Sequence, residues 1–176
     1  MRILYTIRQG SIGDVELAVA FRWLMFGGSG KEEAVEHIRR EVTERYRTEY
    51  QNDGIIHFFA INTENEPVAS AGAIIKSDFP YCFFKPGYYG WIIDVYTRPE
   101  YRGNGIARAL IDKTHQWLKA KGAIEARLIA VGKKPQELYE KIGYRATWEM
   151  SFNLCPGKRT YNDLISQESK EKWGGA

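Results

Sequence analysis

The chain has 176 residues, 44% of them hydrophobic and 27% charged, which suits one domain with a packed core. A formal net charge of +3 is too mild for a nucleic-acid binder recognised by charge alone, yet it fits a partner carrying a few phosphates. No stretch approaches the roughly 20 apolar residues that span a bilayer, and the two cysteines, Cys82 and Cys155, make neither a metal spacing nor a disulfide framework.

"RILYTIRQG" alternates enough to form a first strand. "SIGDVELAVAFRWLMF" follows, with Ile12, Val15, Ala18, Val19, Leu24 and Met25 near helical spacing and Ser11 as the N-cap. "GGSG" at 27–30 is a breaker. "KEEAVEHIRREVTERYRTEY" is a charged amphipathic helix with Val35, Ile38, Val42 and Tyr46 along one face. "IIHFFAINTENEPVASAGAII" is two apolar runs around a polar turn, which signals a hairpin. Residues 77–88 are a long loop rich in aromatics and prolines, and "YGWIIDVYT" has the near-continuous apolar character of a buried central strand. Then come the loop "RPEYRGNG", the helix "IARALIDKTHQWLKAKG" closed by Gly122, the strand "AIEARLIAV", the short helix "PQELYEKIGY" with Pro135 near its start, and a last strand "RATWEMSFNL". After Cys155 the chain turns polar, so residues 1–155 read as one domain and 156–176 as a tail. The order β-α-α-β-β-β-α-β-α-β alternates only in its second half. It predicts an α/β (α+β) fold with a mixed sheet, part antiparallel and part parallel, and helices on both faces.

The ten residues "YRGNGIARAL" at 101–110 carry the chemistry. Two glycines before a helix let the backbone approach a ligand closely, and the helix end offers unpaired N–H groups and partial positive charge. Together these make an anion site, with Arg98 and Arg102 nearby. A dinucleotide fingerprint fits poorly, because "GNGIAR" ends in Arg108 and "RPEY" separates the glycines from the strand. The longer stretch "DVYTRPEYRGNGIARALI" resembles the signature of the Gcn5-related N-acetyltransferase (GNAT) family. Its acetyl-CoA loop, Q/R-x-x-G-x-G/A, is matched by Arg102, Gly105 and Ala107. Downstream, "ELYEKIGYRATWEM" is similar to the family's "lYeklGF" element through Tyr139, Glu140, Lys141, Gly143 and Tyr144. The resemblance covers residues 55–155 well and the first 50 loosely. It departs at Gly132, where many members carry an asparagine that touches the cofactor. A backbone group or Lys133 would serve there instead.

The resemblance implies an acyl-CoA N-acyltransferase fold, its central mixed sheet splayed between the fourth and fifth strands. It implies acetyl-CoA as cosubstrate, with no metal. Gly103, Asn104, Gly105, Ile106 and Ala107, together with Arg102, would grip the pyrophosphate through main-chain N–H groups. Val95, Tyr96 and Thr97 would supply an open strand edge to the pantetheine arm. An N–H near Val95 would stabilise the oxyanion. Tyr139 would protonate the departing thiolate, since a phenol of pKa near 10 is protonated at neutral pH; its structural alternative is packing of the short helix. For the base that takes the amine proton the sequence leaves Asp94, Glu149 and water open. Asp94 stands in an otherwise apolar strand, a costly position unless paired or functional, and its structural alternative is a bonded carboxylate. His37 and His115 fall on solvated helix faces, and the orientation of His57 is not fixed by the pattern, so no histidine is assigned to catalysis.

The acceptor pocket would draw on Arg22, Trp23 and Phe26 from the first helix. It would also draw on the aromatic loop, with Tyr81, Phe83, Phe84, Tyr88 and Tyr89, whose rings can bind an amine by cation–π contact. The partner expected is a small-molecule or peptide amine, with neither nucleic acid nor membrane, and a homodimer would suit the family. With few cysteines and no leader pattern, the expected compartment is the cytoplasm. A non-catalytic acyl-CoA sensor is the alternative reading of the same motifs.

Overall fold

The computed structural model describes residues 4–26, 32–80, 86–147 and 154. The "GGSG" break, Tyr81, Phe83 and Phe84, both cysteines, Glu149, most of the last predicted strand and the 156–176 tail lie outside the described residues, as does the side chain of Val35. The chain divides into two compact units, Met1–Leu128 and Ile129–Ala176.

In the first unit β1 (Tyr5–Gln9) leads through a single 3-10 turn, Ile12–Asp14, into α1 (Val15–Met25) and α2 (Glu32–Gln51). The strands β2 (Ile55–Asn62), β3 (Pro67–Ser77) and β4 (Tyr88–Thr97) follow, then a 3-10 turn at Pro99–Tyr101, α3 (Ile106–Ala120) and β5 (Ala126–Arg127). They build one five-stranded sheet in the order β1-β2-β3-β4-β5. The first four strands pair antiparallel, and β5 joins β4 in parallel. This is the mixed sheet that the element order predicts, with β4 in its interior.

Both faces of the sheet are covered, which is why β2 and β3 read as apolar runs rather than alternating ones. On one face Ile55 and Phe59 pack with Val15, Val19 and Phe21 of α1 and with Tyr46 of α2. On the other, α3 presents the buried stripe Ile106, Leu110, Ile111, Thr114 and Leu118. Leu118 lies so close to β4 that a Cβ on Gly90 would sit 2.3 Å from it.

Two expectations shift. Ser11 caps the 3-10 turn rather than α1 itself: Asp14 accepts from its backbone N–H at 2.8 Å and its hydroxyl at 3.0 Å, and is clamped by Arg8 at 2.8 and 2.9 Å. The turn resets the helical phase, so Ile12 and Leu24 are exposed while Phe21 joins the core. The predicted strand 123–131 shortens to Ala126–Arg127, because its ladder with β4 holds only at Gly90↔Ala126 and Trp91↔Arg127. In the second unit α4 (Lys133–Ile142) starts at Gly132 and is closed by Gly143 in the left-handed region, φ 113°.

Candidate active site

The segment after β4 is built to leave main-chain donors open. Gly103 and Gly105 hold φ of 78° and 75°, conformations that L side chains rarely adopt. Gly105 is the N-cap of α3 and brings no capping side chain. Among the described residues the N–H groups of 103 to 108 meet no acceptor; the first bond of the helix is Ala109 N–H to the Gly105 carbonyl, 3.1 Å. A Cβ on either glycine would meet nothing within 4 Å. The predicted loop residues divide their work. The Asn104 amide donates to the carbonyls of Tyr101 and Arg102, both at 3.0 Å, and so ties the loop to itself. Arg102 donates from Nε to the Thr97 carbonyl at 3.0 Å and lies over the Tyr96 ring. Ile106 is buried and anchors the helix start. What results is a row of N–H groups without acceptors at the positive end of a four-turn helix, shaped for an anion.

Beside it, β4 leaves β5. Pairing on that side stops at Trp91, so Ile92 to Thr97, including Val95, Tyr96 and Thr97, have an edge without a strand among the described residues of this unit. On the β3 side the register slips: Gly72 faces Ile93, but Ser70 faces Tyr96, so β4 advances three residues while β3 advances two. The extra residue is a β-bulge, and Asp94 occupies it with φ 53°. Strict alternation would send Asp94 to the α3 face with Gly90 and Ile92. The bulge turns it toward α1 and α2 instead.

There Asp94, 1% exposed, meets a complete set of donors. Arg22 Nη1 donates to Oδ1 at 2.7 Å, and Tyr46 and His57 Nε2 (3.0 Å) donate to Oδ2. A carboxylate only accepts, so His57 carries its proton on Nε2. In the neutral ring Nδ1 then accepts from Tyr50, whose hydroxyl lies 3.0 Å away. Burial works to raise the Asp94 pKa, but the hydrogen bond from His57, the Arg22 charge and the bond from Tyr46 bring it below the usual carboxylate value. Burial followed by the Asp94 charge pushes the Tyr46 phenol far up. Gly72 makes room for this cluster, since a Cβ there would lie 2.6 Å from the His57 ring. The pattern carried a signal for these partners: an Asp and a His inside apolar strands each require bonded neighbours.

The other predicted residues are spread out. Arg22 is engaged by Asp94 and lies over Phe26, which is 48% exposed; Trp23 is half-buried. Tyr88 and Tyr89 belong to the start of β4, not to the loop before it. The Tyr88 hydroxyl donates to the Lys121 carbonyl at 3.1 Å, and Tyr89 packs edge-on to Trp91 and under Arg127. They stand at the far end of the strand from Val95 and Thr97. In the second unit Tyr139 is buried and its hydroxyl has no hydrogen-bond partner among the described residues. Burial alone pushes its pKa up to about 12. The left-handed Gly143 folds the chain back, so that Tyr144 N–H bonds the Tyr139 carbonyl and the two rings meet edge to face at 5.7 Å. No group of three or more His, Cys, Asp or Glu among the described residues is placed to hold a metal ion, and no described helix is long and apolar enough to cross a membrane.

The model of the acetyltransferase (GNAT) family matches residues 22–144. Among solved structures the chain is similar to a predicted acetyltransferase of Clostridium acetobutylicum with acetyl-CoA, at 27% identity and a TM-score of 0.76 over 86% of this chain and 97% of that one. A GCN5-related N-acetyltransferase of Ralstonia eutropha shares 22% identity and a TM-score of 0.75 over 86% and 99%. Glucosamine-6-phosphate N-acetyltransferase of Arabidopsis thaliana shares 18% and 0.63 over 86% and 99%. No curated protein gives a significant match.

Proposed function

The chain belongs to the GNAT acetyltransferase family, and from that premise we propose that it transfers the acetyl group of acetyl-CoA to a primary amine by direct attack in a ternary complex. The observation that carries the proposal is the row of unpaired N–H groups at residues 103–108, lying at the end of a strand whose edge is open from Ile92 to Thr97. That combination fits a pyrophosphate joined to an extended amide-bearing arm better than it fits a free phosphate, which needs no strand edge.

When bound, acetyl-CoA supplies the activated acyl group, and this chain's residues hold and polarise it. The N–H groups of Gly103 to Ala107 bind the pyrophosphate, with Arg102 and Asn104 keeping the loop in shape. Val95 and Thr97 offer main-chain groups to the arm, and the Val95 N–H is the donor for the developing oxygen charge. A preorganised donor of this kind is worth roughly 3–4 kcal/mol of transition-state stabilisation. Tyr139 keeps a proton on its hydroxyl at neutral pH and gives it to the thiolate. Asp94 is a poor base on this reading, because both oxygens are taken by donors and its pKa is lowered. Removal of the amine proton is left to Glu149 or to water. Trp23 and Phe26 border the acceptor, a small-molecule or peptide amine.

The test is a panel of amines offered with acetyl-CoA, following free thiol and acetylated product. Amine-dependent thiol release, with intersecting lines in double-reciprocal plots, is expected. Parallel lines would replace direct attack by a covalent acyl-enzyme. Tight acetyl-CoA binding with no release for any amine would favour the sensor reading, and absence of both binding and release would remove the proposal.

A further inference from the structure

The cluster beneath β4 invites a question that the acetyl-CoA loop does not answer: why a protein core should contain a fully buried carboxylate at all. Asp94 is 1% exposed and His57 is 0% exposed, so neither can meet a substrate directly. An isolated carboxylate in such a place costs several kcal/mol, and a hydrophobic replacement would pack at less expense. The carboxylate nevertheless has a full set of donors, and they come from three separate elements: Arg22 from α1, Tyr46 from α2 and His57 from β2. The residue they hold is the one with φ 53° in the bulge of β4. Aspartate tolerates the left-handed region, but it does not prefer it. Unconstrained, residue 94 would return to extended geometry, the register with β3 would close, and the main-chain N–H of Val95 would point elsewhere.

We infer that Arg22, Tyr46 and His57 act as positioning residues: by fixing the Asp94 side chain from three sides they hold the bulge open and aim the Val95 N–H at the thioester carbonyl. Tyr50 completes the arrangement one bond further out, since its bond to His57 Nδ1 keeps the ring proton on Nε2, where Asp94 needs it. Gly72, by carrying no Cβ, lets the His57 ring lie against β3. The inference rests on the reading that the Val95 N–H polarises the thioester, and it adds residues that never touch acetyl-CoA.

The experiment reads the carbonyl itself and needs no acceptor. Acetyl-CoA labelled with carbon-13 at the carbonyl is bound to the full chain, and its carbonyl stretch is compared with that of the free thioester by infrared difference spectroscopy. A downshift is expected for the unaltered protein. Tyr46→Phe removes a single oxygen and keeps the ring, so it retains the fold. In it, and in His57→Leu, the stretch returns toward the free value, while CoA affinity stays within about threefold because the 103–108 loop is untouched. His57→Gln, which keeps an N–H donor near the lost Nε2, restores much of the downshift. With an accepting amine, kcat of Tyr46→Phe falls on the order of 100-fold, the cost of a misplacement near 1 Å, with KM for acetyl-CoA little changed. A folded Tyr46→Phe that keeps the full downshift overturns the inference and leaves the cluster as packing. Binding to the unaltered protein with no downshift, or no binding at all, instead overturns the reading of Val95 or of the cosubstrate.

Discussion

Tyr139 is a buried residue whose hydroxyl has no hydrogen-bond partner among the described residues, and burial pushes its pKa up to about 12. A raised pKa keeps the proton on the phenol through neutral and mildly alkaline solution. If Tyr139 protonates the thiolate, the alkaline loss of kcat that it causes begins above the ordinary phenol value of about 10 and not below it. Tyr139→Phe keeps the ring and its edge-on contact with Tyr144 and removes only the proton source. The expected result is a kcat lower by about 100-fold or more, with acetyl-CoA affinity unchanged by calorimetry. An unchanged rate would make the residue a packing group. The motif "LYEKIGY" made Tyr139 visible in the sequence, and the left-handed Gly143 that folds Tyr144 back onto it gives the motif a physical reason. Asp94 was visible too, as a charge in an apolar strand. Its partners were not, because Arg22, Tyr46 and His57 stand 72, 48 and 37 residues away and meet it only when α1 and α2 close over the sheet. Nor does a period-2 pattern announce a bulge, and without the bulge Asp94 belongs to the opposite face.

At the level of elements, the junction of β4 with α3 sets the unpaired N–H groups of 103–108 beside the open strand edge. The sequence shows the strand, the break and the helix, since apolar runs and glycines report them directly. The extent of β5 is not visible there, because a strand's length depends on where its partner stays in register, and β4 departs after Trp91. Gly105 offers the sharpest test of the junction. Alanine there must adopt φ near 75°, at a cost of roughly 1–2 kcal/mol, yet its Cβ would meet no protein atom within 4 Å. Gly105→Ala therefore folds, with a modest loss in urea denaturation. Its methyl enters the open space at the row of N–H groups, and acetyl-CoA affinity is expected to drop about tenfold or more, equivalent to roughly 1.4 kcal/mol. Calorimetric titration decides the matter: undiminished affinity in a folded variant would mean that the loop does not grip the pyrophosphate.

For the molecule as a whole, the two perturbed aspartates link stability to pH. The hydrogen bond from Arg8, then those from Ser11, hold the Asp14 pKa at about 2, with burial opposing. Burial also opposes the shift of Asp94, but His57, Arg22 and Tyr46 carry it below the usual value. Both groups have a folded pKa under the unfolded value of about 3.9, so the unfolded chain binds protons first as the solution is acidified. Their contribution is fully present above about pH 5, shrinks as pH falls through about 4, and for Asp14 is gone below about 2. The Arg8–Asp14 clamp is partly open to water, with Arg8 46% exposed, so screening limits it to about 1 kcal/mol. Protonating Asp94 is the larger event, because it strips the counter-charge from a half-buried Arg22, and breaking such a pair costs roughly 3–5 kcal/mol. Urea midpoints should therefore be level from about pH 7 to 5 and fall steeply below about 4. Asp14→Asn should lower the plateau by about 1 kcal/mol and soften the acid slope without removing it, the remainder belonging to Asp94. An acid slope that Asp14→Asn leaves wholly unchanged would place the entire linkage in the Asp94 cluster, and a level profile down to about pH 2 would contradict the shifts of both groups.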